Sequence, residues 1–330
     1  MIGMSACVET ARKTTPDVSN INLEVEIRRF EQDLFQLDTN QMEASLAELE
    51  KQYPEFSRLY FGQILGVPPK AQEQEAYIKG FINFPEVRRL YDTCTIVYGN
   101  FDGIQQELEQ AFRYYQYYFP DRKIPQVTTY LSEYSIGAFI YGDDQLAVGL
   151  DFFLGANYPY EKYNPGNPNF SNYLIRTFNR DHLVFKTIKP LVEDITGAPR
   201  GGSLLDLMIH NGKQWYLTDL LLPNTSDTVK LEMTPTQVDW LKDNELEMWA
   251  FLLKEKLLYD SDWSKIRKYV EYSPGIPQMH PEAPGRSANW IGLQIVRAYM
   301  DNVPDAKLEE LLSETSAQRI LDRSRYKPRQ

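Results

Sequence analysis

The side chains that could do chemistry gather in Ser203–Leu222, SLLDLMIHNGKQWYLTDLLL. Asp206, His210 and Lys213 follow one another at steps of four and three, which sets a carboxylate, an imidazole and an ammonium on one side of a helix. Leu204, Leu205, Met208, Trp215 and Tyr216 give that helix an apolar surface fit for burial. A buried helix with a polar stripe needs partners for the stripe. Asp206 and Lys213 could answer each other across two turns with His210 between them, or all three could line a cleft; satisfaction within the core is the commoner arrangement. A hydrolase built on this chain would draw on Asp151, Asp206, His210 and Glu245, carboxylates and an imidazole of the kinds that serve as general acids and bases.

A second cluster lies further on. Pro284-Gly285-Arg286 leads into Asn289–Tyr299, a helical stretch interrupted by Gly292. A glycine inside a helix costs about 1 kcal/mol relative to Ala, so its presence points to close packing. Gly212 and Gly292 are expected to mark where two helices approach. Arg286 and Arg297 would then stand beside the polar stripe as partners for Asp206, Asp151 or Glu245.

Recognised catalytic patterns are missing. The three histidines, His182, His210 and His280, have neither the mutual spacing nor the cysteine neighbours of a zinc site. The sequence contains no HExxH, G-x-S-x-G, P-loop or dinucleotide fingerprint, and no cofactor is expected. Acidic pairs such as Asp143/Asp144 and Glu245/Glu247 fit a turn and an exposed helix face. The 46 acidic and 35 basic residues give a formal charge of -11, which argues against a general nucleic-acid binder. No apolar run reaches the roughly 18 residues of a membrane helix.

The two cysteines differ in context. Cys94, in LYDTCTIVYG, packs as a small apolar residue. Cys7 closes MIGMSAC, where small residues precede a cysteine followed by a polar tail, the form of a bacterial lipoprotein acylation site. Six residues are too few for the charged and apolar regions of a signal peptide, so an acylated Cys7 requires a start codon further upstream.

The elements that must position these groups are mostly helical. Residues 1–20 read as a signal remnant, the cysteine and a disordered tether, and residues 21–330 as one domain. Leu23–Leu37 reads as a strand leading into helices over Met42–Tyr53, Glu55–Leu65, Gln72–Ile82, Glu86–Val97 and Gly103–Tyr118. The aromatic run through Tyr114 and Phe119 could offer a sugar or peptide platform, but aromatics on all sides of a helix mean enclosure. Gln126–Leu131, Ala138–Tyr141 and Leu146–Leu150 are strands, the last two a hairpin about Gly142–Gln145. Helices then cover Asp181–Ile195, Ser203–Leu222, Pro235–Leu258, Trp263–Val270, Ser287–Asp301 and Lys307–Arg323. The expected fold is α+β, predominantly helical, with a small mixed sheet and its hairpin packed on many helices.

Several blocks together resemble one family. VEIRRFEQDLFQLD, YPEFSRLYFGQILG, GLDFFLGANYPY, LLDLMIHNGKQWYLTDLLLP, NELEMWAFLLKEKLLY, PGRSANWIGLQIVRAYM and ILDRSRYKP, in this order, are similar to the gliding-motility lipoprotein GldB family of Bacteroidota. The resemblance covers about Val25 to Pro328. It implies a periplasm-facing envelope lipoprotein, lipidated at Cys7, whose partners belong to the gliding and associated secretion apparatus. More distantly, a strand ending in GLD, two helices with a central Gly, and a Pro-Gly-Arg-led helix resemble zincin-like metallopeptidases. In that comparison Asp181–Ile195 stands where HExxH belongs and Asn211-Gly212 replaces the Glu-Gly pair. The implied fold is zincin-like, metal-free and non-catalytic, with Asp206, Lys213 and Arg286 in the former cleft.

Overall fold

A computed structural model describes residues 15–68, 70–163, 165–276 and 279–329; Cys7 lies outside them. The sheet is built on β2 (Val127–Tyr130), whose β-branched and aromatic side chains suit a pleated strand enclosed on both faces, and all four residues are buried. β1 (Ile27–Arg29) pairs parallel to it, Ile27 opposite Val127 and Arg29 opposite Thr129. On its other side lies β4 (Gln145–Gly149), also parallel, with Tyr130 opposite Gly149. β3 (Ala138–Tyr141) closes the order β1-β2-β4-β3 as an antiparallel edge. Gly142 and Asp144 turn the expected hairpin in the left-handed region, with φ of +53° and +64°.

The fold is α+β and predominantly helical, as the sequence indicates. Four elements differ from expectation, one of them Lys307–Arg323, which is two helices, Leu308–Ser313 and Ala317–Ser324. The strand in Leu23–Leu37 is only β1, because Phe30 turns into the Phe30–Phe35 helix and packs edge-on against Tyr53, Phe56 and Tyr60, with ring centroids 5.1, 4.8 and 4.8 Å away. The helix expected over Pro235–Leu258 is two, Pro235–Asp243 and Glu245–Lys254. Asn244 ends the first with both its backbone N–H and its side-chain amide on the Trp240 carbonyl. Within the stretch expected as a tether, Val18 is buried in the core, and just after it the Ile21 carbonyl accepts from Arg113 Nε at 3.1 Å.

Two apolar cores meet along the Leu204–Leu221 helix. Its first turns place Leu204, Leu205, Met208 and Ile209 in a core shared with the C-terminal helices, while Leu217 and Leu221 enter the core that surrounds the sheet. Gly212 lies against the Ser287–Asn302 helix: a Cβ on Gly212 would stand 2.6 Å from the Gly292 carbonyl oxygen and 2.7 Å from Leu293 N. A Cβ on Gly292 would run into the Met208 carbonyl. The two glycines are the closest-approach pair that their positions in the sequence suggest.

Candidate functional site

The Leu204–Leu221 helix separates two cavities. The first, about 350 Å3, takes in Asp206, His210 and Lys213 with Thr196, Arg200 and Glu314, so the sequence stripe does line a cleft. Its members do not answer one another as expected. Asp206 forms a capping box with Ser203: the Asp206 carboxylate accepts from Ser203 N at 3.1 Å and Oγ at 2.6 Å, and Asp206 N donates to Ser203 Oγ. The first turn of a helix leaves N–H groups without intrahelical partners, which draws this carboxylate away from Lys213. Lys213 Nζ instead donates to the Glu314 carbonyl at 2.7 Å, and burial lowers its pKa to about 8. His210 Nε2 lies 3.2 Å from Gln214 Nε2; burial, helped by Lys213, lowers its pKa.

The second cavity, about 470 Å3, lies on a different face of the same helix and holds the densest polar cluster. Its centre is Glu232, which is 2% exposed and sits at φ +53°. The Glu232 carboxylate meets Lys186 Nζ, Lys189 Nζ at 3.8 Å and Arg286 Nη1 at 3.6 Å, and accepts from the Tyr272 hydroxyl. Burial alone would raise its pKa, but Lys189, Lys186 and Arg286 outweigh burial and hold it far below the usual carboxylate range. Arg286 also has a left-handed backbone, φ +63°, and is 5% exposed. Its Nη2 donates to the Leu231 carbonyl at 2.6 Å, and its guanidinium lies 4.1 Å from the Tyr272 ring centroid and 5.7 Å from that of Trp215. Two charged residues in a backbone region costly for side chains, facing each other in one cleft, mark it as the candidate site.

Three elements position this cluster. Lys186 and Lys189 stand three residues apart on one face of the Arg180–Thr196 helix. Glu232 follows the short Asp227–Lys230 helix, and Arg286 immediately precedes the Ser287–Asn302 helix. Asn211 ties the walls together: its Nδ2 donates to Asn289 Oδ1 at 2.9 Å, and Asn289 Nδ2 donates to the Val270 carbonyl at 2.9 Å.

The remaining expected site residues lie elsewhere. Asp151 is fully buried at the end of β4, where its Oδ2 accepts from Tyr134 N at 2.7 Å and Ser132 N at 3.1 Å; burial raises its pKa to about 6. Glu245 holds the C-terminal segment, accepting from the Tyr326 hydroxyl at 2.9 Å and Arg329 N at 3.2 Å. Arg297 pairs with Asp219, and Arg286 with Glu232, so neither arginine meets Asp206, Asp151 or Glu245. Asp151, Asp206, His210 and Glu245 therefore do not converge on one hydrolytic site. Asn211 and Arg286 do share the second cavity.

A family model described as gliding motility protein GldB matches residues 11–328. The chain belongs to the GldB family. No curated protein and no solved structure matches it, so the distant metallopeptidase comparison gains no support from a shared fold. Among the described residues no group of three or more His, Cys, Asp or Glu side chains could hold a metal ion. None of their helices is long and apolar enough to cross a membrane.

In this GldB protein, sequence reasoning reached Arg286 and Asn211 but missed Glu232, Lys186, Lys189 and Tyr272. The available signal was the lysine pair in FKTIKP, two cations at a spacing of three within the mostly apolar stretch Leu183–Val192. Nothing in KLEMTP sets Glu232 apart from an ordinary surface carboxylate.

Proposed function

We propose that this GldB-family protein is a lipid-anchored component of the gliding apparatus that acts by binding rather than by catalysis. It faces the periplasm, with the associated protein-secretion machinery among its partners. The observation that carries this reading is the state of the second cavity's central acid. Glu232 is encircled by Lys186, Lys189 and Arg286 and held ionised far below neutrality, so it is poorly suited to shuttle protons. The other carboxylates that sequence offered are engaged in a helix cap, a turn and the C-terminal segment. Membrane attachment rests on the residues around Cys7 and on family membership. An acylated cysteine with two or three chains would hold the protein stably where one chain would not.

The test has two arms. Expressed behind a lipoprotein signal peptide, the wild type is expected in the membrane fraction and Cys7→Ala in the soluble fraction; retention of the variant in the membrane would remove the anchor. The full chain, supplied with zinc and offered unstructured peptide substrates, is expected to give no turnover. Turnover that tracks bound metal would replace the binding reading with the hydrolase.

A further inference from the structure

The Glu245–Lys254 helix, ELEMWAFLLK, carries apolar side chains on two opposite sides. One side serves the fold: Met248 and Leu252 are buried in the C-terminal core, and Glu245 holds the C-terminal segment. The other side is uncovered. Leu246, Ala250 and Leu253 are all exposed, the two leucines by 42% and 49%, and their steps of four and three set them in one stripe. An apolar stripe left in water over two turns of helix gains by being covered.

The charges beside the stripe indicate what covers it. Glu247 and Lys254 are exposed, and neither forms an ion pair with any described residue. At about 100° per residue, Ala250 lies midway across the face: Leu246 and Leu253 stand about 40° and 60° to one side of it, Lys254 and Glu247 about 40° and 60° to the other. Along the axis, at about 1.5 Å per residue, Leu246 and Glu247 come about 6 and 4.5 Å before Ala250, and Leu253 and Lys254 about 4.5 and 6 Å after it. An antiparallel copy of this helix, related by a two-fold axis at Ala250, therefore sets Leu246 against the partner's Leu253 and Glu247 against the partner's Lys254, and symmetry repeats both contacts. The small Ala250 at the crossing lets the axes reach the separation of about 8–10 Å usual for packed helices. A parallel pair would instead oppose Glu247 to Glu247 and Lys254 to Lys254, like charges in both cases. A lipid surface would have to take in the unpaired Glu247 carboxylate beside the leucines.

We infer that two copies of this chain associate through the Glu245–Lys254 helix, packed antiparallel about a two-fold axis at Ala250. A single helix pair covers less than the roughly 1,200 Å2 of a standard interface, so the dimer is weak and concentration-dependent. The inference is independent of the binding reading above, since no residue of this helix lines the second cavity.

The test is analytical ultracentrifugation of the full chain, without detergent, over a concentration series reaching about 0.5 mM. The wild type is expected to pass from monomer to dimer across the series. Glu247→Lys and Lys254→Glu each set like charges across the pair, and each is expected to weaken the dimer at least about tenfold; the double variant is expected to restore it to within about threefold of wild type. Ala250→Glu, at the crossing, is expected to abolish it. All three side chains are exposed, so the fold is kept, which the urea midpoint checks. Ile96→Ser, at an apolar residue 85% exposed on the Pro85–Tyr98 helix, is expected to leave the dimer unchanged. A protein monomeric throughout the series overturns the inference, and so does a dimer that survives Ala250→Glu or a pair of charge reversals whose combination fails to rescue. A monomer that binds phosphatidylcholine vesicles and is released by Ala250→Glu also overturns it, giving the face to a lipid surface.

Discussion

The sharpest test of the helix crossing is Gly212→Ala, a substitution that helix propensity alone would favour. Alanine gains about 1 kcal/mol over glycine in a helix interior. Here the added methyl would stand 2.6 Å from the Gly292 oxygen and 2.7 Å from Leu293 N. Comfortable contact lies at roughly 3.5–4 Å, so the helices would have to part by about 1 Å. Neither obstacle is a flexible side-chain end; both are backbone atoms of a helix buried over most of its length, from Ser287 through Val296. Overpacking of this kind costs about 1–3 kcal/mol, and a rigid backbone on the far side puts it at the upper end. After the propensity gain, a net loss of about 2 kcal/mol is expected, read as a lower urea midpoint and a Tm reduced by roughly 4 °C. Gly80 gives the matched control. It lies in the Ala71–Asn83 helix with nothing within 4 Å of an added Cβ, so Gly80→Ala should stabilise by about 1 kcal/mol. If both substitutions stabilise alike, the close crossing of the two helices is wrong.

Two further outcomes follow from the cavities. Glu232→Gln leaves Lys186, Lys189 and Arg286 without their buried counter-charge, a loss of about 3–5 kcal/mol at pH 7. Because the folded pKa of Glu232 is depressed, its contribution is present above the ordinary carboxylate value of about 4.3 and is lost as pH falls toward the folded value. The stability gap between wild type and variant, from urea unfolding, should therefore narrow below about pH 4; a gap independent of pH would refute the ionised cluster. Lys213 behaves in the opposite sense. With a folded pKa of about 8, its ammonium destabilises the folded state at neutral pH, and stability recovers as pH rises from there to the ordinary lysine value near 10.4. Relative to Lys213→Met, the wild type should gain up to about 3 kcal/mol across that window, and parallel pH profiles for the two proteins would count against the buried ammonium.

Features governed by neighbours along the chain are legible in the sequence. The hairpin about Gly142 and Asp144, the Leu204–Leu221 helix and the enclosure of Phe112, Tyr114 and Tyr115 follow from turn chemistry, period and aromatic density, whereas Tyr117 of the same aromatic run is 50% exposed. The break at Asn244 is harder to see, because Trp240, Asn244 and Met248 keep an uninterrupted spacing of four and the break is made by the asparagine's own bond back to Trp240. Ion pairing is less legible still. Asp206 and Lys213 have the right spacing to meet, yet the demand of the helix N-terminus for an acceptor decides where the carboxylate goes. Arg286 finds Glu232, 54 positions away, and no local pattern links the two.

The glycine pair joins the legible part of the fold to the part that is not. Gly212 and Gly292 let the two helices approach until backbone meets backbone, and Asn211, the residue before Gly212, then reaches Asn289, one turn before Gly292. The same helix that carries Asn289 begins directly after Arg286, so the crossing also fixes where the guanidinium enters the second cavity. Parting the helices by about 1 Å would stretch the 2.9 Å bond between Asn211 and Asn289 beyond hydrogen-bonding distance and shift the cavity wall. A stability effect of Gly212→Ala should therefore be accompanied by displaced side-chain amide resonances of Asn211 and Asn289 in NMR spectra, although neither glycine lines the cavity.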